Sequence, residues 1–125
     1  MKNKILFMIM ILSFISCSEK IVGEWNVHKY QITKPGVENI TLTNIGTMTF
    51  KSNHKGEKNL DYTVLGMQKK DNVSFTWKLT ENYITIDSEN SDFAKTWIIL
   101  ENKNSSQIWK STNGENEVQT LELSK

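Results

Sequence analysis

Alternation of apolar and polar residues with a period of two is the feature of this sequence that most restricts its fold. The clearest example is Val73–Thr80, in which every second residue is apolar and the intervening residues are serine, threonine or lysine. Successive side chains of a β-strand point to opposite faces, so this segment predicts a strand with one buried and one exposed face. The pattern recurs around Met48–Phe50, Leu60–Val64, Ile84–Ile86 and Leu121–Leu123.

Composition and turn residues support an all-β chain. Ala94 is the single alanine and there are twelve threonines, the reverse of what a helical domain would use. Asn53–Gly56 and Asn113–Gly114 are hairpin sequences, and a longer loop at 33–44 contains Pro35–Gly36. We predict eight strands, near 21–32, 45–53, 57–67, 72–80, 83–88, 93–101, 106–111 and 116–124.

Eight sequential strands joined mostly by short loops form an antiparallel meander. Such a meander best removes its unpaired edges by closing on itself. We therefore predict a single up-and-down eight-stranded β-barrel. A β-sandwich is the alternative if the ring does not close.

The N-terminal segment has the pattern of a cleaved signal peptide. Two lysines precede the apolar run Ile5–Leu12, which is too short to cross a bilayer of about 30 Å as a helix. The run leads into Phe14–Cys17, which resembles a bacterial lipobox and holds the only cysteine of the chain. The alternative is an ordinary signal peptide with a chance cysteine near its cleavage site.

The lipobox resemblance implies three segments. Residues 1–16 would be the lipoprotein signal peptide, 17–20 a tether acylated at Cys17, and 21–125 the barrel domain. Acyl chains on Cys17 would hold the protein to a membrane of the bacterial cell envelope. We expect the periplasmic face of the outer membrane, with surface exposure as the alternative.

Charge and reactive residues restrict the function. The formal net charge of +1 and the lack of a basic run argue against nucleic-acid binding. His28 and His54 are 26 residues apart without ligand spacing, so we expect no metal and no cofactor. No nucleophile motif is present, so we expect no enzyme and no catalytic residues. Asp87, Glu89 and Asp92 are interpreted as solvated loop carboxylates, with a weak calcium site as the alternative.

The segment Ile21–Trp25 carries a Gly-x-Trp motif at Gly23 and Trp25, which resembles the opening of the first strand of lipocalins. The remainder is similar to the short lipocalin-like domains of Bacteroidetes lipoproteins. The resemblance implies that Trp25 closes one barrel end. In lipocalins an arginine packs across this tryptophan, but all 15 basic residues here are lysines. Either a lysine replaces the arginine or this end is closed differently.

Aromatic residues are the candidates for ligand contact. Five of them are predicted on or beside inward-facing positions, where they would line a cavity or simply fill the core: Tyr62, Phe75, Trp77, Tyr83 and Trp97. Trp109 is predicted to face outward if Ile108 faces inward, and it would then mark a partner surface.

Two functional hypotheses follow from this distinction. The preferred hypothesis, which the resemblance implies, is a lipid-anchored barrel that binds a small hydrophobic molecule without catalysis. The alternative is a filled barrel that works by its outer surface, as an inhibitor or accessory protein for another envelope protein. An internal void would support the first hypothesis, and a packed interior would support the second.

Overall fold

The computed structural model describes residues 19–112 and 116–125. The predicted signal peptide 1–16, the lipidation site Cys17 and the turn dipeptide Asn113–Gly114 lie outside these residues. Within them, no helix has the length and apolar character needed to cross a membrane. The described residues form nine β-strands: β1 Gly23–Thr33, β2 Ile40–Phe50, β3 Lys55–Val64, β4 Met67–Asp71, β5 Phe75–Thr80, β6 Tyr83–Asp87, β7 Thr96–Asn102, β8 Ser106–Thr112 and β9 Val118–Ser124.

The strands close into an antiparallel barrel. Their order is β2-β1-β9-β8-β7-β6-β5-β3-β4, and β2 also pairs with β3, which completes a ring of eight strands. β4 pairs only with β3, and it lies in line with β5 along the same edge of that strand. The predicted eight-stranded lipocalin-like barrel is therefore confirmed, with one additional strand, and the sandwich alternative does not apply.

Several strand bounds differ from the prediction. The predicted strand 93–101 begins only at Thr96, which leaves Phe93 in the loop before it. β4 was not expected, because Met67–Asp71 has no alternating apolar residues. β1 ends at Thr33 and β2 begins at Ile40, so half of the predicted loop at 33–44 is strand. The predicted strand 72–80 corresponds to β5, which begins only at Phe75, and Val73 is 43 % exposed instead of facing the core. Polar loops and short polar strands look alike in sequence. Met67–Asp71 is a strand because it pairs with β3.

The barrel has two ends, which we call the base and the mouth. The base holds the entry to β1, the β2–β3, β5–β6 and β7–β8 loops, and the C-terminus. The mouth holds the β1–β2 loop, the β3–β4 turn, and the β6–β7 and β8–β9 loops. The chain therefore enters the barrel at the base, and the mouth lies at the opposite end.

The base is closed around Trp25, which is fully buried. Its indole Nε1–H donates a hydrogen bond of 2.7 Å to the Ile21 carbonyl. The Lys125 Nζ atom lies 4.7 Å from the centre of the Trp25 ring and donates to the Val22 carbonyl at 3.4 Å. Lys125 thus takes the position expected for an arginine, and the cation on the indole is retained.

Candidate functional site

Aromatic side chains occupy the interior from the base upward. The Phe50 ring lies with its centre 5.1 Å from that of Phe75, and 5.7 Å from those of Trp77 and Trp109. Trp109 in turn lies 6.4 Å from Trp97. These edge and tilted contacts between rings at 5 to 7 Å are typical of a packed aromatic core.

Phe93 fills the mouth. It belongs to the β6–β7 loop, residues 88–95, and is fully buried. Its ring centre lies 4.8 Å from that of Tyr30 and 5.9 Å from that of Tyr62. The Trp97 Nε1–H donates to the Phe93 carbonyl at 3.0 Å, which fixes the loop backbone over the barrel. Residues 88–95, which we call the plug loop, therefore insert an aromatic ring where a lipocalin-like barrel would open.

Four of the five aromatic residues predicted to face inward do so. Tyr62, Phe75, Trp77 and Trp97 are all buried, and they contact other aromatic rings. The placement of Tyr83 was wrong, because this residue is 46 % exposed. Ile84 and Ile86 face the interior in β6, so the period of two turns Tyr83 outward.

The prediction for Trp109 was also wrong, because its side chain is fully buried. Gln107 and Ser111 share its face of β8 and are buried too. The Trp109 Nε1–H donates to Gln107 Oε1 at 3.1 Å, and Ser111 donates to the Thr96 carbonyl at 2.9 Å. Satisfied polar side chains therefore accompany Trp109 inside, and the partly buried Ile108 faces outward. Trp109 cannot form a partner surface.

A buried ion pair connects β3 and β4 to the plug loop. Lys58 Nζ lies 3.0 Å from the Asp71 carboxylate, with side chains 0 % and 8 % exposed. The same ammonium donates to Ser88 at 2.7 Å and to Ser91 at 3.3 Å. Ser91 donates to the second Asp71 oxygen at 2.6 Å. A buried charge is tolerated only when it is paired in this way.

A second cluster forms around Asp92, beside Phe93. Its carboxylate accepts hydrogen bonds from Tyr62 at 2.8 Å and from Lys69 at 2.9 Å. Burial alone would raise the pKa of Asp92, but the hydrogen bonds from Lys69 and Tyr62 outweigh it and hold that pKa below its usual range. Burial and the bond to Asp92 raise the pKa of the Tyr62 phenol. Asp92 is therefore not the solvated loop carboxylate that we predicted.

On the far side of the plug loop, Lys95 bonds to Gln119 of β9. Burial lowers the pKa of Lys95, and the nearby carboxylates Glu117 and Asp92 oppose that shift. Polar side chains thus fasten the loop on both sides of Phe93. Among the described residues, no group of three histidine, cysteine or acidic side chains could hold a metal ion.

Two recesses open at the outer surface. One, of about 660 Å³, lies on the outer wall between β3, β5 and β6. The other, of about 330 Å³, lies beside β4 and the plug loop. Neither occupies the space among Trp97, Trp109 and Phe93, which the rings themselves fill.

The β3–β4 hairpin, residues 55–71, exposes apolar side chains at its tip. Leu65 is 85 % exposed and Met67 is 65 % exposed. The two-residue turn is Leu65–Gly66, and Leu65 has a φ of 51°, a left-handed value that is costly for a bulky residue. A second exposed apolar group lies on the wall of β6 and β7, at Tyr83, Ile98 and Leu100.

Sequence reasoning missed Phe93, the Lys58–Asp71 pair and β4. The available signal for Phe93 was a single aromatic residue within the polar stretch Ser88–Lys95. Nothing in the sequence indicates that Lys58 and Asp71 are buried, because lysine and aspartate are ordinarily exposed in proteins.

Comparisons with known proteins agree with this architecture. The sequence profile of the lipocalin-like domain family matches residues 21–125. Among solved structures, a lipocalin-like protein from Bacteroides uniformis is similar, with a TM-score of 0.57, 12 % identity, and coverage of 85 % of this chain and 98 % of that one. An uncharacterized protein from Bacteroides eggerthii has a TM-score of 0.54, 13 % identity, and coverage of 84 % and 99 %. No curated protein matches significantly. The chain belongs to the lipocalin-like domain family.

Proposed function

We propose that this chain is a lipid-anchored, non-enzymatic protein of the bacterial cell envelope that binds another protein through the tip of its β3–β4 hairpin. The observation that carries this proposal is the contrast between a packed interior and exposed apolar residues at the mouth. Phe93 is fully buried in the space a ligand would need, whereas Leu65 is 85 % exposed.

The hairpin tip is hard to explain by folding alone. An exposed leucine buries almost no apolar area, so it contributes little to the free energy of folding. Its left-handed backbone, with φ of 51°, opposes folding, because only glycine and asparagine adopt this conformation easily. Met67 adds a flexible apolar side chain that adapts to varied surfaces. A partner that covers Leu65 and Met67 would offset these costs.

The geometry of the proposed anchor favours a protein over a lipid surface. Cys17 lies four residues before Ile21, which is buried at the base. A short tether there would set the base against the membrane and direct the mouth away from it. The eleven-residue β1 spans roughly 30 Å along the barrel, so the hairpin tip would stand well clear of the anchoring bilayer.

Binding of a small hydrophobic molecule is the second candidate. It is favoured by the way the plug loop is held, since polar bonds to Lys58 and Lys69 can exchange with water when the loop opens. A ligand would then take the place of the Phe93 ring. Under this second candidate function, the closed barrel would be the ligand-free form of the protein.

The experiment that tests the proposal places a photo-crosslinking amino acid at position 65 in the full chain, in cells of the natural host. The matched control places it at Glu24, which is exposed near the base. We expect a discrete protein adduct from position 65 and none from position 24. Equal labelling from both positions would refute the proposal.

The competing candidate is tested on the same preparation. Protein purified from membranes is extracted with organic solvent, and the extract is analysed by mass spectrometry. A hydrophobic small molecule present at a stoichiometry near one, released together with a loss of tryptophan quenching, would favour the second candidate. An extract without such a molecule agrees with the filled interior.

A further inference from the structure

The free edge of β4 is a place where another chain can add a strand. β4 ends the strand order, and its one neighbour is β3. β3 pairs with β4 from Leu60 to Val64 and with β5 at Lys55 and Gly56 in one continuous register, so β4 lies in line with β5 along the same edge of β3. The other edge of β4 faces the plug loop, to which Lys69 and Asp71 bond through their side chains, and no described strand pairs with it.

The hydrogen-bonding groups on this edge follow from the register. Val64 pairs with Met67 across a two-residue turn, and in such a hairpin the pair next to the turn is hydrogen-bonded. Alternate pairs then exchange hydrogen bonds, so the backbone groups of Gln68 and Lys70 point away from β3. In the described part of the chain, no backbone or side-chain group bonds to them.

A surface recess lies along this edge of β4. The recess of about 330 Å³ runs between Gln68–Asp71 on one side and Asn90 and Asp92 of the plug loop on the other. A five-residue strand at about 3.3 Å per residue is roughly 16 Å long, which is enough for one short extended segment. The exposed Leu65 and Met67 continue the same edge toward the hairpin tip.

The charged residues near this edge of β4 indicate which kind of segment could pair with it. Asp71 and Asp92 are neutralised by Lys58 and Lys69, at 3.0 and 2.9 Å. Lys70 is exposed and makes no ion pair within the residues that the structure describes. Asp61 lies opposite Lys70 on β3 and accepts a hydrogen bond from Gln68, so Lys70 is the charged residue at the edge itself. A carboxylate on an incoming strand would be attracted to it, and a lysine would be repelled.

The same lysines argue against a second copy of this chain. Antiparallel self-pairing of Met67–Asp71 about its centre would set Lys69 of one copy against Lys69 of the other. Like charges directly opposite each other destabilise a strand pair, and edge lysines are a common protection against self-association. We propose that β4 pairs with an extended acidic segment of a partner protein, whose apolar residues cover Leu65 and Met67. This inference deepens the proposed function and rests on it.

The direct test uses a defined probe. The lipidated mature chain in detergent is titrated with the capped peptide Thr-Val-Glu-Val-Glu-Val-Thr, and a peptide with lysine in place of both glutamates is the control. We expect the acidic peptide to bind at least tenfold more tightly and to slow amide hydrogen exchange at Gln68 and Lys70. Equal affinity for both peptides, or protection elsewhere on the barrel, would overturn the inference.

Two pairs of variants separate the backbone from the charge. Gln68→Pro and Gln68→Ala both lose the side-chain hydrogen bond to Asp61, and only the proline variant also loses the outward N–H. Gln68→Pro should therefore reduce binding of the acidic peptide at least tenfold, whereas Gln68→Ala should change it less than threefold. Lys70→Glu should reverse the peptide preference and Lys70→Arg should keep it. If Gln68→Pro fails to fold, as judged by near-UV circular dichroism, the Lys70 pair decides. Wild-type binding in both Gln68→Pro and Lys70→Glu would refute strand addition.

The two proposals fail in different ways. If position 65 gives no specific adduct in cells but the acidic peptide binds at β4, the proposed function is wrong and the edge site stands. If the adduct forms equally well in Gln68→Pro and Lys70→Glu variants, the partner binds the tip without pairing with β4. In that case the proposed function stands and this inference is wrong.

Discussion

Phe93 has two effects on the barrel. Its ring stabilises the barrel through contacts with Tyr30, Tyr62 and Trp97. The same ring also excludes any other molecule from the mouth. An aromatic side chain supplied by a loop is unusual as a core residue, because loops ordinarily lie on the surface. Its removal should therefore cost stability and create a binding cavity at once.

We expect Phe93→Ala to lower the free energy of unfolding by about 3 to 5 kcal/mol, the usual range for deleting a buried phenylalanine. The apolar cavity that remains should admit a small aromatic molecule. Urea unfolding measures the first effect, and an increase in Tm with indole, absent in the wild type, measures the second. Phe93→Leu is the control and should lose less than half as much stability. Wild-type stability in Phe93→Ala would contradict the plug assignment.

Lys125 is expected to contribute through its charge as well as its aliphatic stem. A solvent-exposed cation over an indole contributes about 0.5 to 1 kcal/mol. Lys125→Met keeps most of the stem and removes the ammonium that lies 4.7 Å from the Trp25 ring, so it should lose about that amount. Lys125→Arg should retain the stability of the wild type. Both variants are compared by urea unfolding, and equal losses would argue against the cation–π contact.

Asp92 should make stability depend on pH on the acid side. Because its pKa is lowered in the folded state, mainly by hydrogen bonds that overcome burial, the folded state favours the carboxylate. This contribution is fully present above the unfolded-state pKa of about 4 and is lost as the pH falls through the lower folded-state value. We expect the stability difference between wild type and Asp92→Asn to be constant near pH 7 and to shrink below about pH 4. A difference that grows on acidification would contradict it.

At the scale of the elements, the β3–β4 hairpin and the plug loop form one unit. Lys58 of β3 and Asp71 of β4 are buried together with Ser88 and Ser91 of the loop. The loop reaches the hairpin through this pair on one side and reaches β9 through Lys95 on the other. Loosening the pair should therefore loosen the mouth.

The strength of this connection is measurable with a double-mutant cycle. Lys58→Met or Asp71→Leu alone should cost about 3 to 5 kcal/mol, because each leaves the other charge buried without its partner. The double variant should lose clearly less than the sum, with a coupling of at least about 1.5 kcal/mol. Urea unfolding of the four proteins gives the cycle. Additive losses would show that the pair does not act as a unit.

Strands with regular alternation were predictable from the sequence, and polar strands were not. In Phe75–Thr80 and Ile84–Ile86 the apolar residues alternate with polar ones, and the apolar residues are those that face the interior. β4 carries mainly polar residues, and its pairing with β3 decides its conformation. Local sequence carries no direct signal for a partner strand.

Side-chain direction was predictable only where apolar residues alone face inward. In β8 the interior face is Gln107, Trp109 and Ser111, so apolarity favours the opposite parity around Ile108. The hydrogen bond from Trp109 to Gln107 makes the buried amide acceptable. The exposure of Leu65 could not be predicted either, since an apolar residue at the end of a strand is ordinarily assigned to the core.

For the whole molecule, the first and last strands are neighbours. β1 and β9 pair from Asn26 opposite Ser124 to Thr33 opposite Val118. Lys125 reaches the Val22 carbonyl, so the two ends of the barrel domain lie next to each other. The β1–β2 loop at 34–39 is exposed throughout and contributes no buried residue.

These positions predict that the barrel tolerates circular permutation. A short glycine–serine linker from Lys125 to Lys20, with new termini at Pro35–Gly36, should leave Tm within a few degrees of the wild type. Near-UV circular dichroism of the buried tryptophans reports whether the core is retained. A permutant opened between Leu121 and Glu122 interrupts β9 and should not fold. Loss of structure in the first permutant would show that the β1–β2 connection is required.

If the chain is exported as we propose, the pairing of β1 with β9 also determines when the barrel can form. A chain that crossed a membrane from its N-terminus would deliver β1 first, yet that strand pairs with β9, whose first residue lies more than 90 residues after the start of β1. The ring would therefore stay open during such a translocation, and any acylation at Cys17 would precede closure. Chains released before β9 could not close their ring and would be left to envelope proteases.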